Sequence, residues 1–129
     1  MIGPSWAEPV ADPRHELGSE AERRAAAYLT EQGYKILDRN VSYKVGELDI
    51  VAMDGDTLVF VEVRSRTHHD QVHPAATVTR RKQRQIVRSA MAYCQDHKIQ
   101  DTMIRFDVVA VLGPKGEIEL FPNAFEAGR

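Results

Sequence analysis

Residues 46–66 read GELDIVAMDGDTLVFVEVRSR, two runs of alternating apolar residues joined by DGD. That is the pattern of a β-hairpin closed by a tight turn, and it sets a sheet at the centre of the fold. The hairpin also carries charges that a purely structural one would avoid. Glu47, Asp49, Glu62 and Arg64 lie inside the strands, where Val, Thr or Tyr pack better.

Strand side chains alternate between faces, so Glu47, Asp49, Val51 and Met53 are expected on one side, and Leu58, Phe60, Glu62 and Arg64 on one side of the second strand. An even loop, Gly55-Asp56 or Asp54–Thr57, places Met53 opposite Leu58, Asp49 opposite Glu62 and Glu47 opposite Arg64. A two-residue loop at Asp54-Gly55 makes Asp49 a diagonal neighbour of Glu62, and only an odd loop separates them. Carboxylates facing each other at about 5 Å destabilise a sheet unless something compensates. Three readings follow: a magnesium-type cation that also takes phosphate oxygens, a solvated outer face, or a structural pair sharing a proton. Glu47 and Arg64 alone also fit a cross-strand ion pair.

The flanking segments complete an α/β order. Leu17, Ala21, Ala25, Tyr28 and Leu29 recur at helical spacing and predict a helix over 17–32, ended by Gly33. Residues 34–41 read as a strand, the hairpin strands as 46–53 and 58–66, and THHDQVHPAA as a loop. Thr79 can cap a helix to about His97 with Ile86, Ala90, Tyr93 and Cys94 as its apolar stripe. MIRFDVVAVL (103–112) is apolar nearly throughout, as an interior strand is, and EIELF is a last strand. The order α-β-β-β-α-β-β implies an α/β sandwich: a mixed central sheet flanked by helices. Pro4, Pro9 and Pro13 mark residues 1–14 as a flexible arm, leaving 15–129 as a single domain.

A lone cysteine, Cys94, excludes an internal disulfide and a multi-cysteine zinc site, and fits a reducing compartment. Its place on the apolar stripe reads as core packing. No apolar run approaches the roughly 18 residues of a membrane span, and the N-terminus lacks the pattern of a secretion signal. A cytoplasmic protein away from membranes is expected.

The net charge of −2 conceals an asymmetry. Residues 64–88 hold seven basic residues against Asp70 alone, so the rest of the chain is strongly acidic. Arg80, Arg81 and Lys82 crowd a helix N-terminus, where the macrodipole disfavours cations. A phosphate backbone would offset that cost, because each neutralised phosphate releases counterions. Arg66, Arg80, Arg81, Lys82, Arg84 and Arg88 are therefore the candidate nucleic-acid contacts, with a solvated basic face as the plainer reading. No aromatic interleaving offers stacking platforms, so binding would follow backbone or junction shape more than sequence. His68, His69 and His73 form HHxxxH, a spacing unlike standard zinc sites, and read as loop polarity.

The hairpin resembles that of the YraN-like family of bacterial predicted endonucleases, which look related to archaeal Holliday-junction resolvases within the PD-(D/E)XK nuclease superfamily. LGSEAERRAAAYLTEQGYKILDRN resembles the family's opening, VTRRKQRQIVRSAMAYC its second helix and RFDVVAV its later strand, so the likeness covers about 17–125. It implies a restriction-endonuclease-like sandwich and a metal-dependent, structure-selective endonuclease hydrolysing DNA phosphodiesters. Asp49 and Glu62 would bind Mg2+, or Mn2+ in its place, with Glu22 from the first helix assisting. Arg64 would hold the lysine position of E-x-K, and Glu47 matches the family's G-E-x-D. Branched or single-stranded DNA is the implied partner, and junction cleavage by related resolvases implies a homodimer. Two features set the alternatives. Ser19-x-x-Glu22 also reads as a capping box. Arginine stays charged where lysine can give up its proton, so a non-catalytic nucleic-acid-binding or scaffold protein with a nuclease-like fold is the other functional reading.

Overall fold

A computed structural model describes residues 19–66, 78–113 and 116–127. The elements are α1 (Glu20–Glu31), β1 (Lys35–Tyr43), β2 (Gly46–Asp54), β3 (Thr57–Arg66), α2 (Arg80–Asp96), β4 (Met103–Leu112) and β5 (Ile118–Phe125). This is the α-β-β-β-α-β-β order read from the sequence. The five strands form one sheet in the order β1-β2-β3-β4-β5. β3 and β4 are parallel and joined through α2, while the other neighbours are antiparallel. The arm expected over 1–14 and the histidine loop lie outside the described residues.

Local chemistry explains the element ends. Ser19 caps α1 by accepting from the Glu22 N–H at 3.0 Å, and Gly33, at φ +95°, lets the chain leave the helix. Thr79 caps α2 by accepting from the Lys82 N–H at 3.1 Å. β1 and β5 run past the expected 34–41 and EIELF because ladder hydrogen bonds, not apolar content, carry their outer ends.

The helices lie on opposite faces. Ala25, Ala26 and Leu29 of α1 pack with Ile50, Ala52, Val59, Val61, Val109 and Val111. Ile86, Ala90, Ala92 and Tyr93 of α2 pack with Leu48, Val51, Leu58, Phe60, Phe106 and Val108. On that side the rings of Phe60, Phe106 and Phe125 stack in sequence at 5.8 and 5.1 Å, and Tyr93 meets Phe60 edge-on at 5.9 Å. Such pairs contribute roughly 0.5–1.5 kcal/mol each beyond their buried area. β4 is buried from Phe106 to Val111, as its apolar run implied. Cys94 is half-buried against the α2 side of the core, and burial pushes its thiol pKa up.

One charged residue lies inside that buried run. Asp107 is fully buried and accepts from the Tyr34 hydroxyl at 2.9 Å, Arg105 Nε at 2.8 Å and the Asn123 N–H at 2.9 Å. Arg105 continues to Asp54 at 2.9 Å. The network fastens β4 to β5, to Tyr34 just before β1 and to the end of β2, and its polar groups are paired as burial demands.

Candidate functional site

The hairpin turn is the two-residue Gly55-Asp56, and pairing runs from Asp54↔Thr57 through Met53↔Leu58 to Ile50↔Val61. Beyond that rung the expected pairing stops. Asp49 does not pair through its backbone; its Oδ2 accepts from the Val63 N–H at 2.9 Å. Strict alternation fails at the same place. Leu48 and Val51 both pack on the α2 side, whereas Ile50 and Ala52 pack on the α1 side. The reading that put Glu47 and Asp49 in unbroken alternation with Val51 is corrected accordingly, and so is the Glu47–Arg64 cross-strand pair.

Glu47 sits instead beside Glu22 and Asp49, with one carboxylate oxygen from each within 4.8 Å of the others. Glu22 comes from the first turn of α1. Its Oε2 is buried with no hydrogen-bond partner among the described residues. Its pKa is raised by burial, then by Asp49 and Glu47, against a hydrogen bond with Asn40 and the charge of Arg39. Burial, the Glu62 charge and a shared hydrogen bond with Glu62 push the Asp49 carboxyl up, against the Val63 N–H and the charge of Lys82. Asp49 and Glu62 are therefore close neighbours, although the backbone ladder does not carry them there.

Glu62 is 5% exposed and has two cations on the same oxygen. Arg64, on its own strand, and Lys82, from the first turn of α2, each stand 3.8 Å from Oε2. Gly46 shows why the chain turns into β2 as it does. Its φ is +154°, and a Cβ there would meet Ser89 Oγ of α2 at 2.7 Å. A glycine before Glu47 is what lets α2 close over this end of the sheet.

The other basic residues of α2, Arg80, Arg81, Arg84 and Arg88, are exposed and make no ion pair among the described residues. The expected basic row thus divides, four arginines facing solvent and Lys82 turned to the acids. Arg66 is the last residue of β3. His68, His69 and His73 lie outside the described residues.

Two contributors escaped the sequence reading as site residues. Arg39 has a buried Nε without a hydrogen-bond partner among the described residues and acts on Glu22. Asn40 is buried at φ +54°, a left-handed conformation that asparagine tolerates better than most residues. Nothing in the local pattern marks Arg39. Asn40 carried one signal, an amide interrupting a strand.

The family model described as "Uncharacterised protein family UPF0102" matches residues 21–111. Several named relatives are a little under half identical. A UPF0102 protein of Anaeromyxobacter dehalogenans is 49% identical over 117 residues, covering 89% of this chain and 87% of its own length. One of Chlorobaculum parvum is 49% identical over 112 residues, covering 87% and 79%. One of Geobacter metallireducens is 46% identical over 112 residues, covering 85% and 92%. No helix among the described residues is long and apolar enough to cross a membrane.

Proposed function

The chain belongs to the UPF0102 family, and we propose that it is a metal-dependent, structure-selective endonuclease-like protein that hydrolyses DNA phosphodiesters. One observation carries the reading: Glu22, Glu47 and Asp49 converge within 4.8 Å, with Glu62 hydrogen-bonded to Asp49 and flanked by Arg64 and Lys82. Like charges gathered at such cost, next to a buried Glu22 oxygen that has no partner among the described residues, fit a hard divalent cation. The donors are all oxygens, as Mg2+ and Mn2+ prefer. Asp49 and Glu62 would hold the ion and Glu22 would assist. Such an ion supplies Lewis-acid stabilisation of charge on a phosphoryl group and lowers the pKa of water.

The reaction adds one water to phosphorus and breaks one P–O ester bond, leaving a hydroxyl end and a phosphate monoester end. Arg64, 3.8 Å from Glu62, would clamp the anionic phosphate. The exposed arginines of α2 would follow the backbone of branched or single-stranded DNA without reading bases. A homodimer would be needed to cut two strands of a junction in concert, and the reduced Cys94 fits action in the cytoplasm.

The test is cleavage of single strands, flaps and four-way junctions in Mg2+ or Mn2+ by wild type, Asp49→Ala and Arg64→Lys. Cutting by wild type that disappears in Asp49→Ala is expected. A wild type that neither binds Mn2+ nor cuts any substrate would refute the reading. Arg64 itself favours a second one, a nucleic-acid-binding or scaffold protein on the same fold, since a guanidinium keeps its charge. Activity confined to Arg64→Lys, with salt-sensitive DNA binding by wild type in Ca2+, is the outcome that favours it.

A further inference from the structure

The cation that this site borrows from α2 goes beyond a backbone contact. Lys82 shares the basic helix with Arg80, Arg81, Arg84 and Arg88, but those four face solvent and meet no site acid. Lys82 stands 3.8 Å from the Oε2 of Glu62, the oxygen that Arg64 also approaches at 3.8 Å. A structural ion pair in a buried setting closes to hydrogen-bond distance and uses up its donors. Here two cations share one oxygen and neither closes on it. The Lys82 side chain remains 38% exposed, so its ammonium is open to a third partner.

Its backbone is held firmly. The Lys82 N–H bonds to the cap Thr79, and the next residue, Gln83, donates its side-chain amide to the Val78 carbonyl at 2.9 Å. Lys82 occupies the third position after its cap, as Glu22 does after Ser19. Both helices therefore deliver a first-turn side chain to the same acids, one negative and one positive. The positive end of the α2 dipole lies behind the ammonium, which suits an anion arriving there and gives Lys82 no local stabilisation.

We infer that Lys82 is the lysine of this site: it takes the place beside Glu62 that the E-x-K lysine would fill from the strand, and donates to a phosphate oxygen seated against the carboxylates. The assignment rests on the nuclease reading above and adds a catalytic residue to it. An ammonium on a flexible stem with three donors can reach a single phosphate oxygen in a way the planar guanidinium of Arg64 does not.

The experiment compares wild type, Lys82→Met, Arg64→Lys with Lys82→Met, and Arg84→Met, all as full chains. It measures Mn2+ affinity by calorimetry, branched-DNA affinity in Ca2+ against salt, and single-turnover cleavage in Mg2+ at saturating DNA. Lys82→Met should bind Mn2+ severalfold more tightly, since a cation next to the ligands is gone. Its saturated cleavage rate should fall at least about 100-fold, as when a donor to developing charge is lost. Returning a lysine to the strand, as Arg64→Lys in that background, should recover at least tenfold. Arg84→Met should lose affinity and flatten the salt slope by about 0.9.

Lys82→Met that cuts at the wild-type rate once saturated, and differs only in affinity and salt slope, overturns the assignment while leaving the nuclease reading intact. If wild type binds metal and DNA without cutting, the assignment stands only if Lys82→Met removes the calcium-dependent part of DNA binding while Arg84→Met retains it. Wild type that binds neither Mn2+ nor DNA overturns both.

Discussion

Replacing Asp49 by asparagine separates what the carboxylate costs from what it does. The Asp49 carboxyl is pushed from 3.8 up to about 8 by burial and the Glu62 charge. A folded-state pKa above the unfolded one makes a stabilising contribution that is complete below the unfolded value and is lost as pH rises through the folded value. The native state is therefore penalised progressively between pH 4 and pH 8. At 1.36 kcal/mol per unit a full shift corresponds to about 4 kcal/mol at pH 7. Asp49 keeps some contact with solvent, which screens the charge, so the realised share should be about 1–3 kcal/mol. Asparagine carries no charge, and its side-chain oxygen can still accept from the Val63 N–H that now bonds Asp49 at 2.9 Å.

Asp49→Asn should thus be the more stable protein in chelator at pH 8, melting roughly 5–10 °C higher, with the gap closing toward pH 4. Mn2+ should reverse the order. Wild type gains about 2.7 kcal/mol at a hundredfold excess over Kd, and the variant, short of a ligand, gains little. Thermal melts at pH 4, 6 and 8, with chelator and with Mn2+, make the comparison. An asparagine variant less stable than wild type in chelator at pH 8, or a gap independent of pH, would refute the account of crowded carboxylates.

Gly46→Ala should cost about 1–3 kcal/mol in urea titrations from overpacking, because its Cβ would meet Ser89 Oγ at 2.7 Å. Ser89→Ala in that background should recover part of the loss, and no recovery would place the strain in the Gly46 backbone. Asp107→Ala should cost about 3–5 kcal/mol, as when one partner of a buried pair is removed. Tyr34→Phe, losing the hydrogen bond to the same carboxylate and the one its oxygen accepts from Arg105, should cost about 1–2 kcal/mol; equal losses for the two would contradict the network. Thr79→Ala should cost about 1 kcal/mol through the lost cap, seen as lower thermal stability by circular dichroism.

The hairpin was legible because its information is local. A two-residue turn and a two-residue period fix the register from Asp54↔Thr57 to Ile50↔Val61. The same logic failed one rung further, where a side chain replaces a backbone partner and Asp49 turns away from the ladder. Periodicity cannot see that exchange, because Asp49 still fits the alternating pattern. Asp107 was unreadable for a different reason. It lies in an apolar strand, and its partners come from Tyr34, Arg105 and Asn123, which only the folded sheet brings together. Arg39 and Asn40 belong to the same class, since their importance comes from Glu22, which α1 brings beside the middle of β1.

The candidate site follows from topology acting on small local misfits. Glu22 in a first turn would ordinarily bond back to its cap, yet its Oε2 stays without a partner among the described residues. Lys82 in a first turn opposes the helix dipole, and Asp49 gives up ladder pairing. Each departure costs little alone and could pass for noise in a sequence. β2 and β3 lie side by side, and the two helices, on opposite faces of the sheet, both begin at the end where these strands part. The three departures therefore meet within one cluster. Local preferences that fail together at one point of a fold are the pattern expected where function outweighs stability. The stability gain predicted for Asp49→Asn in chelator measures that trade directly, because the acid that weakens the empty protein is the one proposed to hold its metal.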